Sequence, residues 1–276
     1  MMTLINTIEG QLKVAEAVSL YTVKNPVEQP KAAVLIVHGL AEHLGRYAYV
    51  VEKLNSFGYS VYRFDNRGHG KSGGEKGFLE NFHDFLDDAD KAVEWAKKDH
   101  PDLPLFMLGH SMGGYIAAGY GVKYPGKLRG QIFSGPAVIV LPLFESLRTI
   151  DFDQLPRETM PNSLAALICR DQQVVQRYSD DPLVLKSTTY KLLGEVFIRG
   201  AEWLVERMAT YTDPCLILHG GGDQIVTPEA AKYLHEHISS KDKTLKIYPD
   251  LYHEILNEFE KDVVLQDIRQ WIDAHI

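Results

Sequence analysis

The sequence predicts an α/β protein: a mostly parallel central sheet with helices on both faces and a helical cap inserted late in the chain. Three observations carry this expectation. Short, wholly apolar runs recur along the 276 residues and alternate with helical patterns, as strands buried on both faces do. Glycines and polar residues cluster at the carboxyl ends of these runs, where open α/β sheets place their chemistry. One interval of about seventy residues has no such run and exceeds a normal crossover.

The elements follow in order. The first thirty residues alternate apolar and polar side chains and end in Asn25-Pro26-Val27-Glu28-Gln29-Pro30, which fits an antiparallel hairpin at a sheet edge. Apolar strands are expected at 33–37, 59–64, 105–108, 130–133, 215–218 and 244–248. Each ends in a turn-rich or polar segment, such as His38-Gly39, Asp65, Gly109, Ser134-Gly135-Pro136, His219-Gly220-Gly221 and Pro249-Asp250. Helical patterns cover 47–57, 82–98, 113–123 and 229–239. From 137 to 208 the alternation stops. That stretch holds the apolar Val138-Ile139-Val140-Leu141-Pro142-Leu143-Phe144 and helix-like segments at 164–168 and 202–208. The expected organisation is a core of 1–136 and 209–276 with a cap of 137–208.

Composition narrows the function classes. The net charge is −8, from 29 Lys+Arg against 37 Asp+Glu. No long basic run exists, which argues against nucleic acid as a partner. The acidic balance opposes anchoring on anionic lipid. Cys169 and Cys215 lie far apart without metal-ligand spacing, so reduced, buried thiols of a cytoplasmic enzyme are expected, with no metal. Met1–Asn6 shows no basic region followed by an apolar stretch, so no signal peptide is read. No run of about 18 uncharged apolar residues is present to span a membrane.

Gly-x-Ser-x-Gly describes a sharp strand-to-helix turn that thrusts a serine above a sheet. The pattern occurs twice, at Gly109-His110-Ser111-Met112-Gly113 and at Gly70-Lys71-Ser72-Gly73-Gly74. Only Ser111 directly follows an apolar strand and directly precedes a small, apolar helical segment. Ser111 is therefore the expected nucleophile and Ser72 a loop serine.

A serine needs a neighbouring imidazole to take its proton. In sheets of this kind the order is Ser, acid, His, each at a strand end. His253, just past the last strand, is so placed. Asp223 in Gly220-Gly221-Gly222-Asp223 follows the fifth strand and is the expected acid; Asp250 is the alternative. His110 adjoins the serine on the elbow, where neighbouring side chains diverge. His235 and His237 lie on different faces of a helix and form no metal pair. Two backbone N–H donors should hold an oxyanion: those of Met112, after the nucleophile, and of Leu40, in the loop after the first parallel strand.

Several motifs coincide with one family. The loop from His38 to Tyr47, the following Asp65-Asn66-Arg67-Gly68-His69-Gly70-Lys71-Ser72, the elbow Gly-His-Ser-Met-Gly-Gly, and Tyr178-Ser179-Asp180-Asp181-Pro182-Leu183 resemble those of the monoacylglycerol lipases. The segment from Lys243 to Tyr248 before His253 is similar too. Bacterial lysophospholipases share most of this. The resemblance runs from about residue 10 to the C-terminus. It implies an α/β-hydrolase fold without a cofactor and hydrolysis of a small lipid ester, a monoacylglycerol, to fatty acid and glycerol. It also implies that Glu42, Arg46 and Tyr178 help form the polar head-group end. The bland alternative for Glu42 and Arg46 is an i,i+4 ion pair, and both readings can hold. One departure stands out: better-known members carry a second histidine three residues after the first, where this chain has Leu256.

A lysophospholipase or broad carboxylesterase is the second enzymatic reading, and a non-catalytic binding protein the third. Residues 138–144 are expected either to line an acyl-chain site and touch lipid aggregates transiently, or simply to pack the cap onto the sheet.

Overall fold

The structure, a computed structural model, describes residues 6–276. The reading of Met1–Asn6 therefore lies, Asn6 aside, outside the described residues. The chain opens with the hairpin β1 (Ile8–Lys13) and β2 (Ser19–Asn25), followed by β3 (Ala32–Val37), α1 (Ala48–Ser56), β4 (Tyr59–Phe64), α2 (His83–Lys97), β5 (Leu105–His110), α3 (Met112–Lys123) and β6 (Gly130–Ser134). An insertion then carries β7 (Thr159–Pro161), α4 (Gln172–Asp180), β8 (Ser187–Thr189), α5 (Tyr190–Gly194) and α6 (Ala201–Arg207). A π-helical segment, Glu195–Gly200, joins α5 to α6. The core resumes with β9 (Cys215–Gly220), α7 (Pro228–His237), β10 (Lys243–Tyr248) and α8 (Lys261–Ala274).

The main sheet has eight strands in the order β1-β2-β4-β3-β5-β6-β9-β10. The β1 and β2 pairings are antiparallel. From β4 to β10 every pairing is parallel. Strand periodicity of two sends alternate side chains to opposite faces. Leu35 and Val37 of β3 join a core with Phe85, Leu86 and Ile116 from α2 and α3. Val34 and Ile36 join another with Val50, Leu54, Val264 and Ile268 from α1 and α8. Helices on both faces are why the central strands are apolar throughout rather than alternating. All six residues of β3, β5 and β9 are buried.

One expectation in the insertion changes and another is extended. Residues 164–168 form only one 3-10 turn, Ala165–Leu167. The real helix there is α4, a polar stretch whose buried residues are Val174 and Tyr178 alone, too few for a clear apolar period. The 202–208 pattern belongs to α6, whose helix runs back through the π segment to α5. Val138, Leu141 and Phe144 are buried while Leu143 is 46% exposed, so the 138–144 segment packs inward and also presents an apolar side chain outward. Backbone bonds tie the insertion to core loops: Leu185 N–H to Ala41 O (2.8 Å), Thr189 N–H to Gly77 O (2.9 Å) and Glu254 N–H to Ile168 O (2.7 Å). No helix among the described residues is long and apolar enough to cross a membrane.

Candidate active site

The strand β5 hands directly to α3 at Ser111, which sits at φ 55° and ψ −117°, backbone that non-glycine residues rarely adopt. The two glycines of the motif are required by space. A Cβ on Gly109 would lie 2.2 Å from Gly113 O, and one on Gly113 would lie 2.1 Å from Val37 O. Both obstacles are backbone and cannot swing away. Ser111 N–H donates to Ser134 O at 3.0 Å and Ser111 O accepts from Ala137 N–H at 3.2 Å, so the turn after β6 braces the elbow. The N–H groups of the first turn of a helix have no intrahelical partner, and Met112 opens α3.

The same turn after β6 reaches the histidine. A Cβ on Gly135 would lie 3.3 Å from His253 Nδ1. His253 lies in the loop after β10, buried, and its Nδ1–H donates to Asp223 Oδ2 at 2.7 Å. The carboxylate accepts only, so this bond leaves Nε2 as the basic nitrogen. Asp223 follows β9. Its Oδ1 accepts the N–H groups of Ile225 (2.9 Å) and Val226 (3.0 Å). Burial works to raise the Asp223 pKa, but the charges and bonds of His253 and His219 outweigh it and hold the carboxyl well below the usual range. Burial works to lower the His253 pKa; Asp223, then Glu254 and Glu42, reverse this and raise it.

His219, fully buried on β9, stands behind the pair. Its Nε2 is 2.6 Å from Val226 O and 3.2 Å from Asp223 Oδ2. His110 behaves differently. Its ring centroid is 4.7 Å from that of His253, and its Nδ1–H is given to Ser134 O at 3.0 Å. Burial, with His253 adding to it, pushes its pKa down to about 4, so it is neutral at neutral pH. The two rings meet even though the elbow points His110 and Ser111 apart along the chain.

The loop after β3 is held by one carboxylate. Glu42 Oε1 accepts Gly39 N–H at 2.6 Å and the Tyr47 hydroxyl at 2.8 Å. Glu42 Oε2 accepts Arg46 Nη1 at 2.7 Å. Burial disfavours the charged form, but Arg46 overrides it and brings Glu42 down to about 2. The i,i+4 ion pair expected as the bland reading is thus present, between Glu42 and the Arg46 of a 3-10 turn, Leu44–Tyr47. Ala41 adopts φ 64°, a further strained residue in this loop. Gly39 N–H is taken by Glu42, and a Cβ on Gly39 would lie 3.1 Å from Ser111 Cβ, so this loop lies against the elbow. The Arg46 guanidinium lies 4.7 Å over the Tyr178 ring, and the Tyr178 hydroxyl accepts Asn162 Nδ2 at 2.7 Å. Leu256 lines a cavity of about 10 Å³ with Glu42, His110 and Glu254, room for no more than one water.

Ser72, which shares the five-residue pattern, is built into the fold. Its hydroxyl donates to Asp65 O at 2.5 Å and accepts Tyr21 N–H at 2.8 Å. Beyond the Leu40 loop lies a mostly apolar pocket with about 40 Å³ of open space. Leu40, Leu143, Phe144, Met160, Leu164 and Leu193 form most of its apolar wall. Sequence reasoning missed Glu254, His219 and the turn at Ser134-Gly135. Glu254 contacts Arg46, 208 positions away, and no local periodicity marks such a partner.

A strained serine at the strand-to-helix turn of a mostly parallel sheet, with an acid and a histidine at later strand ends, is the arrangement of an α/β-hydrolase. Residues 28–260 match the family model described as Serine aminopeptidase, S33. A monoacylglycerol lipase of Mycolicibacterium smegmatis is 36% identical over 261 residues, covering 93% of each chain. A human monoglyceride lipase is 32% identical over 254 residues, covering 90% of this chain and 84% of its own. The crystal structure of Paleococcus ferrophilus monoacylglycerol lipase superposes with a TM-score of 0.84 at 31% identity, covering 93% of this chain and 99% of that one. The chain belongs to this hydrolase family, as a carboxylic ester hydrolase alongside the monoacylglycerol lipases.

Proposed function

We propose that the protein hydrolyses the ester bond of monoacylglycerols, releasing a fatty acid and glycerol through an acyl-enzyme on Ser111. The observation that carries this is the Asp223–His253 bond of 2.7 Å, together with a strained serine at the N-cap of α3, in a chain whose relatives bear that activity in their names. His253 Nε2 takes the proton of Ser111 Oγ as the oxygen attacks the ester carbonyl. Asp223 fixes the tautomer and stabilises the imidazolium. The N–H groups of Leu40 and Met112 hold the oxyanion. His253 then protonates the departing glycerol oxygen, and a water deprotonated by the same nitrogen cleaves the acyl-enzyme.

Residues 137–208 act as the cap. The pocket lined by Leu40, Met160 and Leu193 receives the acyl chain, whose burial contributes roughly 0.8 kcal/mol per CH₂. Glu42, Arg46 and Tyr178 define the head-group end. Their main polar groups are already engaged, Glu42 with Arg46, Arg46 also with Glu254, and the Tyr178 hydroxyl with Asn162, so they act there largely by setting the shape of the loop. Leu143 and Leu155, exposed at 46% and 44%, give the cap transient contact with lipid aggregates; Leu143→Glu should slow hydrolysis of micellar substrate and spare a dissolved short ester. Two free, buried thiols, Cys169 and Cys215, suit a cytoplasmic setting.

The test compares kcat/KM for 1- and 2-monoacylglycerols of several chain lengths, a lysophospholipid and a short p-nitrophenyl ester. Preference for a monoacylglycerol supports the reading. Equal rates on all reduce it to a broad carboxylesterase, and preference for the lysophospholipid replaces it with a lysophospholipase.

A further inference from the structure

Glu254 follows His253 in the chain and is 4% exposed. Its two carboxylate oxygens take Arg46 Nη1 at 2.5 Å and Nη2 at 2.7 Å, and Asn257 Nδ2 adds a third bond at 2.8 Å. Its own N–H is fixed to Ile168 O of the insertion at 2.7 Å. From Arg46 the bonds continue to Glu42 Oε2, and from Glu42 Oε1 to the N–H of Gly39. One run of short, charge-assisted bonds therefore joins the residue after His253 to the residue before Leu40, its Arg46–Glu254 link alone crossing 208 positions of sequence.

Stability alone does not explain a second carboxylate on this arginine. Glu42 already pairs with Arg46, and buried ion pairs are often no more stabilising than apolar side chains of equal volume. What the second carboxylate adds is a rigid, bidentate connection between two loops. We propose that Glu254 is a positioning residue: through Arg46 and Glu42 it holds the His253 loop and the Leu40 loop at one spacing, so that base and oxyanion donors stay in register. This rests on the assignment of His253 as base and Leu40 as donor.

The arrangement also has a charge. Glu42 and Glu254 share one guanidinium, leaving one net negative charge buried near His253. The other groups facing that ring are Asp223 after β9, with His219 behind it, and the neutral His110 at the end of β5, while Tyr178 of α4 lies under Arg46. The surplus charge favours the imidazolium.

Glu254→Gln keeps the side-chain shape and removes the charge. Rates on p-nitrophenyl butyrate, corrected for active serines by fluorophosphonate titration, report the chemical step whatever the natural alcohol is, so failure here is separable from failure of the acylglycerol reading. The expected result is a fall in kcat of about tenfold from lost positioning, with KM within about twofold and the acid limb of kcat/KM moved to lower pH. A folded Glu254→Gln protein with wild-type kcat and an unmoved acid limb overturns the proposal, even if its Tm is lower. If that variant does not fold, Glu254→Asp keeps the charge but shortens the reach. It should then lose kcat while holding the acid limb, and wild-type kcat in that protein is equally fatal.

Discussion

Ser111 holds φ 55°, a conformation costing on the order of 1–3 kcal/mol in a residue with a Cβ. Ser111→Ala keeps that Cβ, so its Tm should match wild type while kcat falls by about 10⁴-fold or more; calorimetry and an ester assay read both. Ser111→Gly removes the Cβ, and denaturant melts should place it above Ser111→Ala by about 1 kcal/mol. Equal stability of the two would mean that the elbow stores no strain. As the proposed base, His253 sets the pH response. A base must be unprotonated, and His253 is raised above the ordinary histidine value of about 6.5. Activity should therefore fall as pH drops through a limb above about 6.5, as kcat/KM profiles will show. Asp223→Asn removes the charge that raises it, which should move this limb down and cut kcat by about 10⁴-fold.

Among elements, the elbow and the loop after β4 use the same glycine–serine pattern for opposite purposes. At the elbow Gly109 lets β5 approach α3 and Gly113 lets α3 approach β3, backbone to backbone. Gly113→Ala would set a methyl 2.1 Å from Val37 O, so this variant should fail to give a cooperative thermal transition. In the β4 loop the serine is a brace between Asp65 and Tyr21. Ser72→Ala leaves a buried N–H unpaired and should cost about 1–3 kcal/mol, measurable by urea titration. A fluorophosphonate should still label that protein at Ser111. Loss of labelling in folded Ser72→Ala would reverse the assignment of the nucleophile.

At the scale of the molecule, the pocket is made jointly by the insertion and the Leu40 loop. Its open space of about 40 Å³ holds only a few waters, so a long acyl chain requires the lining to move outward. Leu193→Trp should fill it. Long-chain monoacylglycerol turnover should drop more than about tenfold, since each lost buried CH₂ forfeits roughly 0.8 kcal/mol, while a short p-nitrophenyl ester is unaffected. Equal losses on both would show that the chain lies elsewhere.

The inner parallel strands, β3 and β5 above all, were legible as apolar runs because burial on both faces favours apolar side chains, while the edge strand β10 alternates. So were the positions of Ser111, Asp223 and His253 after β5, β9 and β10, because turn chemistry at a strand end is local. The polar helix α4 was not, since only Val174 and Tyr178 turn inward and its other faces carry no period. Nor were the roles of two identical motifs separable from the five residues themselves; the strand before and the helix after Ser111 were needed. What only the tertiary structure decided is how distant loops meet. His110 lies against His253, and Glu254 reaches Arg46 across 208 positions. Each of these is a contact between groups from separate strand ends, and sheet topology rather than sequence neighbourhood brings them together.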